Sequence, residues 1–376
     1  MALTSGLGGQ LNIDLGALAR NWRALDKVSA GALTGAVVKA DAYGTGIAMS
    51  ARALHAAGAR FFFVATPDEG LAVRASVPDA HIFVLNGLYP GAANLYIRQN
   101  LMPVIASMAM LEEWLGKCLE RNEAYPAALH FDTGINRLGF RLNEAGLVRE
   151  RLASLGYAPQ MVMSHLACAD MPSHEKNRTQ LALFSSLLTQ FPGVPASLAN
   201  SAGLMTGRDY HFQMVRPGIA LYGGRAVSGR KNPMAPVVTL HVPILQITEA
   251  RTGETVGYGA GHSLSRNSRL AILSHGYADG FFRSLSGSNM RPGGKVFIRG
   301  VLCPVLGRIS MDQTVVDVTE LGSNLPLPGE GAEVFGPNIA VDDQADAAGT
   351  IGYELLTSLK GRYSRNYIGD GNLPEG

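Results

Sequence analysis

Between residue 35 and about residue 222, eight short apolar runs alternate with longer stretches whose apolar residues recur at helical spacing. This rhythm constrains the fold more than any other feature of the chain. The runs are GAVVKA, FFFVAT, HIFVLN, LMPVIAS, AALHFD, QMVMSHL, VPASLAN and MVRPGIALYG. Stretches such as GIAMSARALHAAGA, LEEWLGKCLERNEA and KNRTQLALFSSLLTQF lie between them. Each run is rich in β-branched or aromatic residues and reads as a strand. Strand and helix alternating eight times is the pattern of an α/β chain folded as a (β/α)8, TIM-type barrel. A doubly wound sheet is the alternative. It has fewer strands and a glycine fingerprint after the first, and no G-x-G-x-x-G follows GAVVKA.

The character changes at GGRAVSGRKNPMAP, residues 223–236, which reads as a linker. Beyond it, VVTLHVPILQITEA, RLAILSHGYADGF, GKVFIRGVLCPVLGRI and DQTVVDVTEL are short alternating segments divided by Gly, Asn and Pro turns. They predict a mostly-β C-terminal domain. The expected division is a barrel over 1–233, with LNIDLGALARNW as a leading strand and helix capped by Asp14, and a β-domain over 234–376. The polar end, IGDGNLPEG, reads as a frayed tail.

Composition excludes several roles. A net charge of +2 over 376 residues argues against nucleic acid or an anionic membrane as partner. No apolar stretch has the length of a membrane span. The opening MALTSGLGGQLNI lacks a basic region and a long apolar core, so no secretory leader is expected. Cys118, Cys168 and Cys303 are odd in number and far apart, which suits a reducing, cytoplasmic setting. HLACADMPSH brings His165, Cys168 and His174 close in sequence, but no second paired cluster accompanies them, and no metal is expected.

In a barrel of this kind chemistry sits where the strands end. The polar residues there are Lys39 and Tyr43 after run one, Asn86 after three, and Asp132 and Arg137 after five. Run six supplies Ser164 and His165, run seven Asn200 and Ser201, and run eight Arg216 and Gly218. The hydroxyl of Ser201 and backbone N–H groups around Gly203, Gly218 and Ile219 would suit a phosphate, although two ordinary strand-to-helix turns would look the same. Lys39 is either a solvated strand end or an amine nucleophile. The second role needs a neutral amine, which burial and neighbouring cations such as Arg137 and Arg216 would favour. A guanidinium at Arg216 keeps its proton. Facing the nitrogen of a pyridine cofactor, it would leave that nitrogen neutral, weaken the ring as an electron sink and favour reprotonation at Cα over transamination. The second domain contributes Tyr258 in TVGYGAG, Met311 and Asp312 in GRISMDQ, Tyr277 in HGYADGFFR and Tyr353 in GYELLTSLKGR. For Tyr258 the plain alternative is a tyrosine packed on a surface turn.

AVVKADAYGTG, FDTGINRLGF, MSHLA, NSAG, MVRPGIALYG, VGYGAG, GYADGF, GRISMDQ and YELLTSLKGR together resemble the alanine racemases that depend on pyridoxal 5'-phosphate. The likeness runs from residue 35 to about 362. It implies a homodimeric isomerase that interconverts L- and D-alanine and supplies D-alanine for peptidoglycan. Lys39 matches the lysine that binds the cofactor covalently, and Tyr258 the second catalytic base, reaching in from the partner subunit. By the same resemblance, Lys39 serves the D-enantiomer and Tyr258 the L-enantiomer. Arg216 matches the arginine on the pyridine nitrogen, and His165 the histidine beside Tyr258 and the ring. Tyr43, Ser201, Gly218, Ile219 and Tyr353 match the phosphate-binding set. Arg137 and the backbone at Met311 match the substrate-carboxylate site, and Tyr277 and Asp312 the entrance. One departure stands out. Several members place a lysine, often carbamylated, two residues before the Asp of D-T-G, where this chain has His130.

Two rivals share parts of the plan. A decarboxylase of basic amino acids would need an acidic partner on the pyridine nitrogen, where run eight offers Arg216. A non-enzymatic cofactor-carrying protein of a single barrel would lack the domain that bears Tyr258.

Overall fold

The computed structural model describes residues 8–29 and 31–369. The chain divides into two compact units. One is formed by residues 18–221 and 225–234; the other by residues 222–224, the stretch from 235 onward and the strand that precedes residue 18.

The first unit contains Leu33–Thr34 continued by Ala36–Val37, then Phe61–Val64, His81–Val84, Leu101–Ile105, Ala128–His130, Met161–Met163, Ala196–Ser197 and Met214–Val215. These are strands one to eight below; all but Leu33–Thr34, which precedes GAVVKA, lie in the runs read from the sequence. Strands one to seven pair in order and in parallel. Strand eight closes the ring. Met214 and Val215 pair in parallel with Leu33 and Thr34, and Val37 N donates to Pro217 O at 3.0 Å. Gln213 N donates to Ala196 O at 3.1 Å, and Asn200 bridges Arg216, joining strand seven to strand eight.

Strand one carries glycine at residue 35 for a steric reason. A Cβ there would come within 2.6 Å of the Phe63 ring, which stacks on Phe83 with centroids 5.0 Å apart. Phe62 and Phe63 are both fully buried. Helices cover the outside of such a barrel, so both strand faces avoid water and FFFV is an unbroken apolar run. Each buried aromatic of this kind contributes about 1.5–3 kcal/mol. The helices start beside the strand ends that matter. Thr66 and Glu69 form a capping box ahead of Pro67–Ser76, Ser107 caps Met108–Arg121, and Asn200 caps Ser201–Thr206.

The second unit is mostly antiparallel. Its long strand Val238–Ala250 pairs with Gly331–Phe335 near its start and with Ser268–Leu273 near its end. The change of neighbour falls at a register shift between Ile244 and Gln246, where a bulge bends the strand. Thr314–Asp317, Val301–Leu306 and Lys295–Ile298 complete the circuit back to Gly331–Phe335. The strand Gln10–Asp14 also belongs here. It pairs antiparallel with Val238–Ala250 and in parallel with Ser364–Ile368. The leading strand expected with the barrel is thus hydrogen-bonded into the β-unit, because its edge partners lie more than two hundred residues further along the chain. Asp14 Oδ1 accepts from Ala17 N at 2.8 Å and caps the helix Leu15–Ser29.

Candidate active site

Strand one delivers Lys39 into an unusual turn. Ala40, Asp41, Ala42 and Tyr43 all have φ between 52° and 55°. For L-residues a left-handed conformation costs about 1–2 kcal/mol each, and it seldom extends beyond one residue. This turn is held by many bonds. Ala42 N donates to Val38 O and Gly44 N to Ala40 O, both at 2.9 Å. Asp41 Oδ1 accepts from Ile47 N at 2.8 Å, Thr45 Oγ1 donates to Ala42 O at 2.6 Å, and Ala40 N donates to Glu69 Oε1 at 2.7 Å. Reversing the hand of the turn carries Tyr43 back toward the strand-eight loop, where it is buried. Burial, then the Arg137 charge, hold the Lys39 amine below the usual lysine range, and Glu69 opposes them.

Strand eight brings Arg216 into the interior, only 4% exposed. Its guanidinium donates to Ser197 Oγ, and to Ser164 O at 2.7 Å. Among the described residues it has no carboxylate within ion-pair distance, and burial lowers its proton affinity to about 9, so it remains a cation at neutral pH. Ser164 Oγ lies 2.7 Å from Thr133 Oγ1, which accepts from Gln180 Nε2 at 3.1 Å. Gln180 also donates to His165 O at 2.9 Å and accepts from Ala167 N at 2.8 Å. One amide side chain thereby joins the loops after strands five and six.

His130 is 5% exposed, and its Nε2 has no hydrogen-bond partner among the described residues. Burial, then Arg216 and Arg137, lower its pKa to about 4. His165 is held well below the normal histidine range by burial, then by Arg216, Arg137, His130 and Lys39. The structure therefore brings Lys39, His130, Arg137, His165 and Arg216 into one electrostatic neighbourhood. The two histidines are neutral there, beside the Arg137 and Arg216 charges.

The loop that bears Arg137 is shaped by Asp132. Its Oδ1 accepts from Gly134, Ile135 and Asn136 N at 2.8, 2.9 and 3.2 Å. Its Oδ2 accepts from Arg141 at 3.1 Å. Burial works to raise the Asp132 pKa, but the three amides and Arg141 outweigh it and leave it below the ordinary value. Arg137 itself is exposed.

After strands seven and eight, Ser201 Oγ accepts from Gly218 N at 2.8 Å and from Ala220 N at 3.3 Å. Ile219 is fully buried beside them. A Cβ on Gly218 would run into Tyr43 Oη, so the tyrosine hydroxyl, Ser201 and the buried backbone of Gly218 converge where only glycine leaves room. Among the described residues no cluster of His, Cys, Asp and Glu could hold a metal ion. His174 instead accepts from Lys176 N at 3.1 Å.

The remaining candidates belong to the β-unit. Tyr258 is 71% exposed, and a Cβ on either flanking glycine would strike Arg308. Tyr277 N donates to Ser310 O at 3.1 Å and Ala278 N to Met311 O at 3.0 Å, so the two turns face each other. Arg362 donates to Asp312 Oδ1 at 2.6 Å. Tyr353 lies on the helix Gly352–Thr357. Ser197, Gln180 and Glu69 were not among the residues that end the apolar runs or carry the motifs. Only Glu69 has a local signal, the T-x-x-E of TPDE that marks a capping box.

The fold and site define a barrel whose strand ends bring together a low-pKa lysine and a buried arginine, with Tyr43, Ser201 and Gly218 packed against one another, followed by a β-unit. The family model for the alanine racemase N-terminal domain matches residues 13–226, and that for the C-terminal domain matches 237–367. The chain belongs to the alanine racemase family. It is 47% identical to an alanine racemase of Rhizobium meliloti, covering 96% of this chain and 97% of the relative. It is 49% identical to a biosynthetic alanine racemase of Agrobacterium fabrum, covering 96% and 93%. Among solved structures, the alanine racemase of Bartonella henselae with covalently bound pyridoxal phosphate superposes with a TM-score of 0.90. It is 36% identical, covering 96% of this chain and 99% of that one.

Proposed function

We infer that this protein is a pyridoxal 5'-phosphate-dependent isomerase that interconverts L- and D-alanine. The observation that carries the reading is Arg216, a buried guanidinium bonded to neutral oxygens with no carboxylate beside it among the described residues. The site suits the cofactor in three respects. Arg137 and Arg216 supply positive charge for a phosphorylated anion; the Tyr43 and Ser201 hydroxyls meet the Gly218 backbone, where a side chain would strike Tyr43 Oη; and Lys39 is a depressed-pKa amine. When bound, the cofactor supplies an electrophilic carbon for an amine and a conjugated ring that spreads the charge left by a departing Cα proton.

The chain's own groups do the rest. Tyr43, Ser201, Gly218, Ile219 and Tyr353 would hold the phosphate. Arg216 would face the ring nitrogen and keep its own proton, which would limit charge delocalisation and favour return of the proton to Cα. A carboxylate at that position would do the reverse, which counts against a decarboxylase of basic amino acids. Arg137 and the backbone of Met311 bind the substrate carboxylate. Lys39 takes or returns the Cα proton on one face, and Tyr258 does so on the other, which gives inversion. His165 is neutral and able to hydrogen-bond the tyrosine and lower its cost as a base. Tyr277 and Asp312 line the entrance.

The large exposure of Tyr258 supports a homodimer in which each chain lends this tyrosine to its partner. Free thiols at Cys118, Cys168 and Cys303 suit the cytoplasm, and among the described residues no helix is long and apolar enough to cross a membrane. D-Alanine made there would feed peptidoglycan. The test is D-alanine formation from L-alanine by purified protein, with borohydride reduction followed by peptide mass analysis. The expected result is turnover and a cofactor-sized mass on the Lys39 peptide, both lost in Lys39→Ala. A wild-type protein that neither turns over alanine nor fixes cofactor at Lys39 overturns the reading.

A further inference from the structure

Glu69 lies outside the residues assigned above, yet its carboxylate joins two strand ends of the barrel. One oxygen accepts from Ala65 N at 2.7 Å and Thr66 N at 3.3 Å, closing the start of helix Pro67–Ser76. The other accepts from Ala40 N at 2.7 Å, 29 residues away in sequence. Ala40 directly follows Lys39 and opens the left-handed turn. The first N–H groups of any helical turn have no partner inside it, and Glu69 supplies one here. The far end of the turn is held by Asp41 on Ile47 N and by Thr45 on Ala42 O. Glu69 thus secures the end nearest the lysine.

We propose that Glu69 is a positioning residue for Lys39, tying the peptide that carries the lysine to the end of strand two so that the amine returns to one place between proton transfers. This rests on Lys39 being the proton carrier of the preceding section. A tie on the backbone next to a proton-transfer group matters because such steps lose rate with small displacements. A helix cap alone would leave no reason for the second oxygen to reach Ala40. The charged groups acting on the Lys39 amine are Arg137 and Glu69, with neutral His165 nearby. Of these Glu69 alone favours the protonated amine. Removing its charge makes Lys39 give up a proton more readily, and the acid limb of kcat for D-alanine moves to lower pH.

The experiment uses the full-length holoenzyme as wild type, Glu69→Gln, Glu69→Ala and Thr66→Ala. The last trims the same helix cap and leaves the Ala40 bond in place. Hydrogen exchange is read by mass spectrometry over residues 38–46 and 67–76, beside kcat and KM for D-alanine against pH. In Glu69→Gln and Glu69→Ala, exchange over 38–46 is expected to quicken by about tenfold. The kcat falls by about fivefold or more with little change in KM, and in Glu69→Gln the acid limb moves down in pH. In Thr66→Ala only 67–76 responds. Should Glu69→Ala fail to fold, Glu69→Gln decides. Unchanged exchange over 38–46 in Glu69→Gln, or an equal loss of kcat in Thr66→Ala, reduces Glu69 to a helix cap and overturns the proposal. A wild type without racemase activity would sink the functional reading alone, since the exchange data still judge the tie.

Discussion

Replacing Gly218 by alanine adds one methyl group at the most crowded point of the proposed phosphate pocket. The new Cβ would overlap Tyr43 Oη and lie 3.1 Å from Cζ and 3.5 Å from Val37 Cβ. Tyr43 is 5% exposed and sits on a turn whose backbone is bound at both ends, so the ring has little freedom to withdraw. Overpacking of this kind costs about 1–3 kcal/mol, and Tm moves by roughly 2–4 °C per kcal/mol in a domain of this size. The larger effect falls on the cofactor. Displacing the tyrosine hydroxyl removes one hydrogen bond to a charged group, about 1.5–3 kcal/mol. That corresponds to roughly ten- to a hundredfold weaker binding. Equilibrium dialysis of pyridoxal phosphate against wild type and Gly218→Ala, with Tm measured in parallel, reads both effects. Wild-type affinity together with an unshifted Tm in the variant would refute the packing argument.

Three further expectations concern other parts of the molecule. Burial lowers the pKa of His275 to about 3, and that of His130 to about 4 with help from Arg216 and Arg137. Unfolded histidine titrates near 6.5, so below about pH 6.5 the unfolded chain binds more protons. Stability is full above that pH and declines toward the folded values, by about 2 kcal/mol per histidine at pH 5. A urea midpoint that stays level between pH 7 and pH 5 contradicts this. Asp132→Ala orphans three amides, which costs about 1–3 kcal/mol, and frees the loop that carries Arg137. KM for alanine should rise more than kcat falls, and steady-state kinetics showing the opposite split counts against Asp132 as organiser of that loop. For the shared site, chains bearing Lys39→Ala and chains bearing Tyr258→Phe should each be nearly inactive. Co-expressed, they should recover activity, because one of the two sites in a mixed dimer holds both native residues. No recovery in isolated mixed dimers rules out the exchange of Tyr258.

The barrel strands were legible because a strand covered on both faces is a continuous apolar run, as in FFFV and HIFV. The polar residue that ends each run marks the barrel mouth, which is how Lys39, Arg137, His165 and Arg216 could be gathered before any coordinates. Their convergence was not legible. Distances across a barrel depend on closure, and closure rests on pairs such as Val215 with Thr34 and bonds such as Val37 to Pro217. The left-handed turn gave no warning either. Ala40, Ala42 and Tyr43 do not favour that conformation, and beside its local bonds the turn is held at Ala40 by Glu69, 29 residues away. Ser197 and Gln180 read as ordinary polar residues until Arg216 and Thr133 are brought against them.

Periodicity already specified a barrel and a β-unit, since both follow from residues close together in the chain, and the reaction was legible through the resemblance of its motifs to a known family. The placement of Gln10–Asp14 did not follow, because a strand's own pattern does not choose between neighbours hundreds of residues away. Nor did the question raised by His130. Folding buries that imidazole among cations and keeps it neutral, while Asp132, two residues on, shapes the loop of Arg137. Burial and hydrogen bonding settle protonation and orientation, and neither exists until distant segments meet.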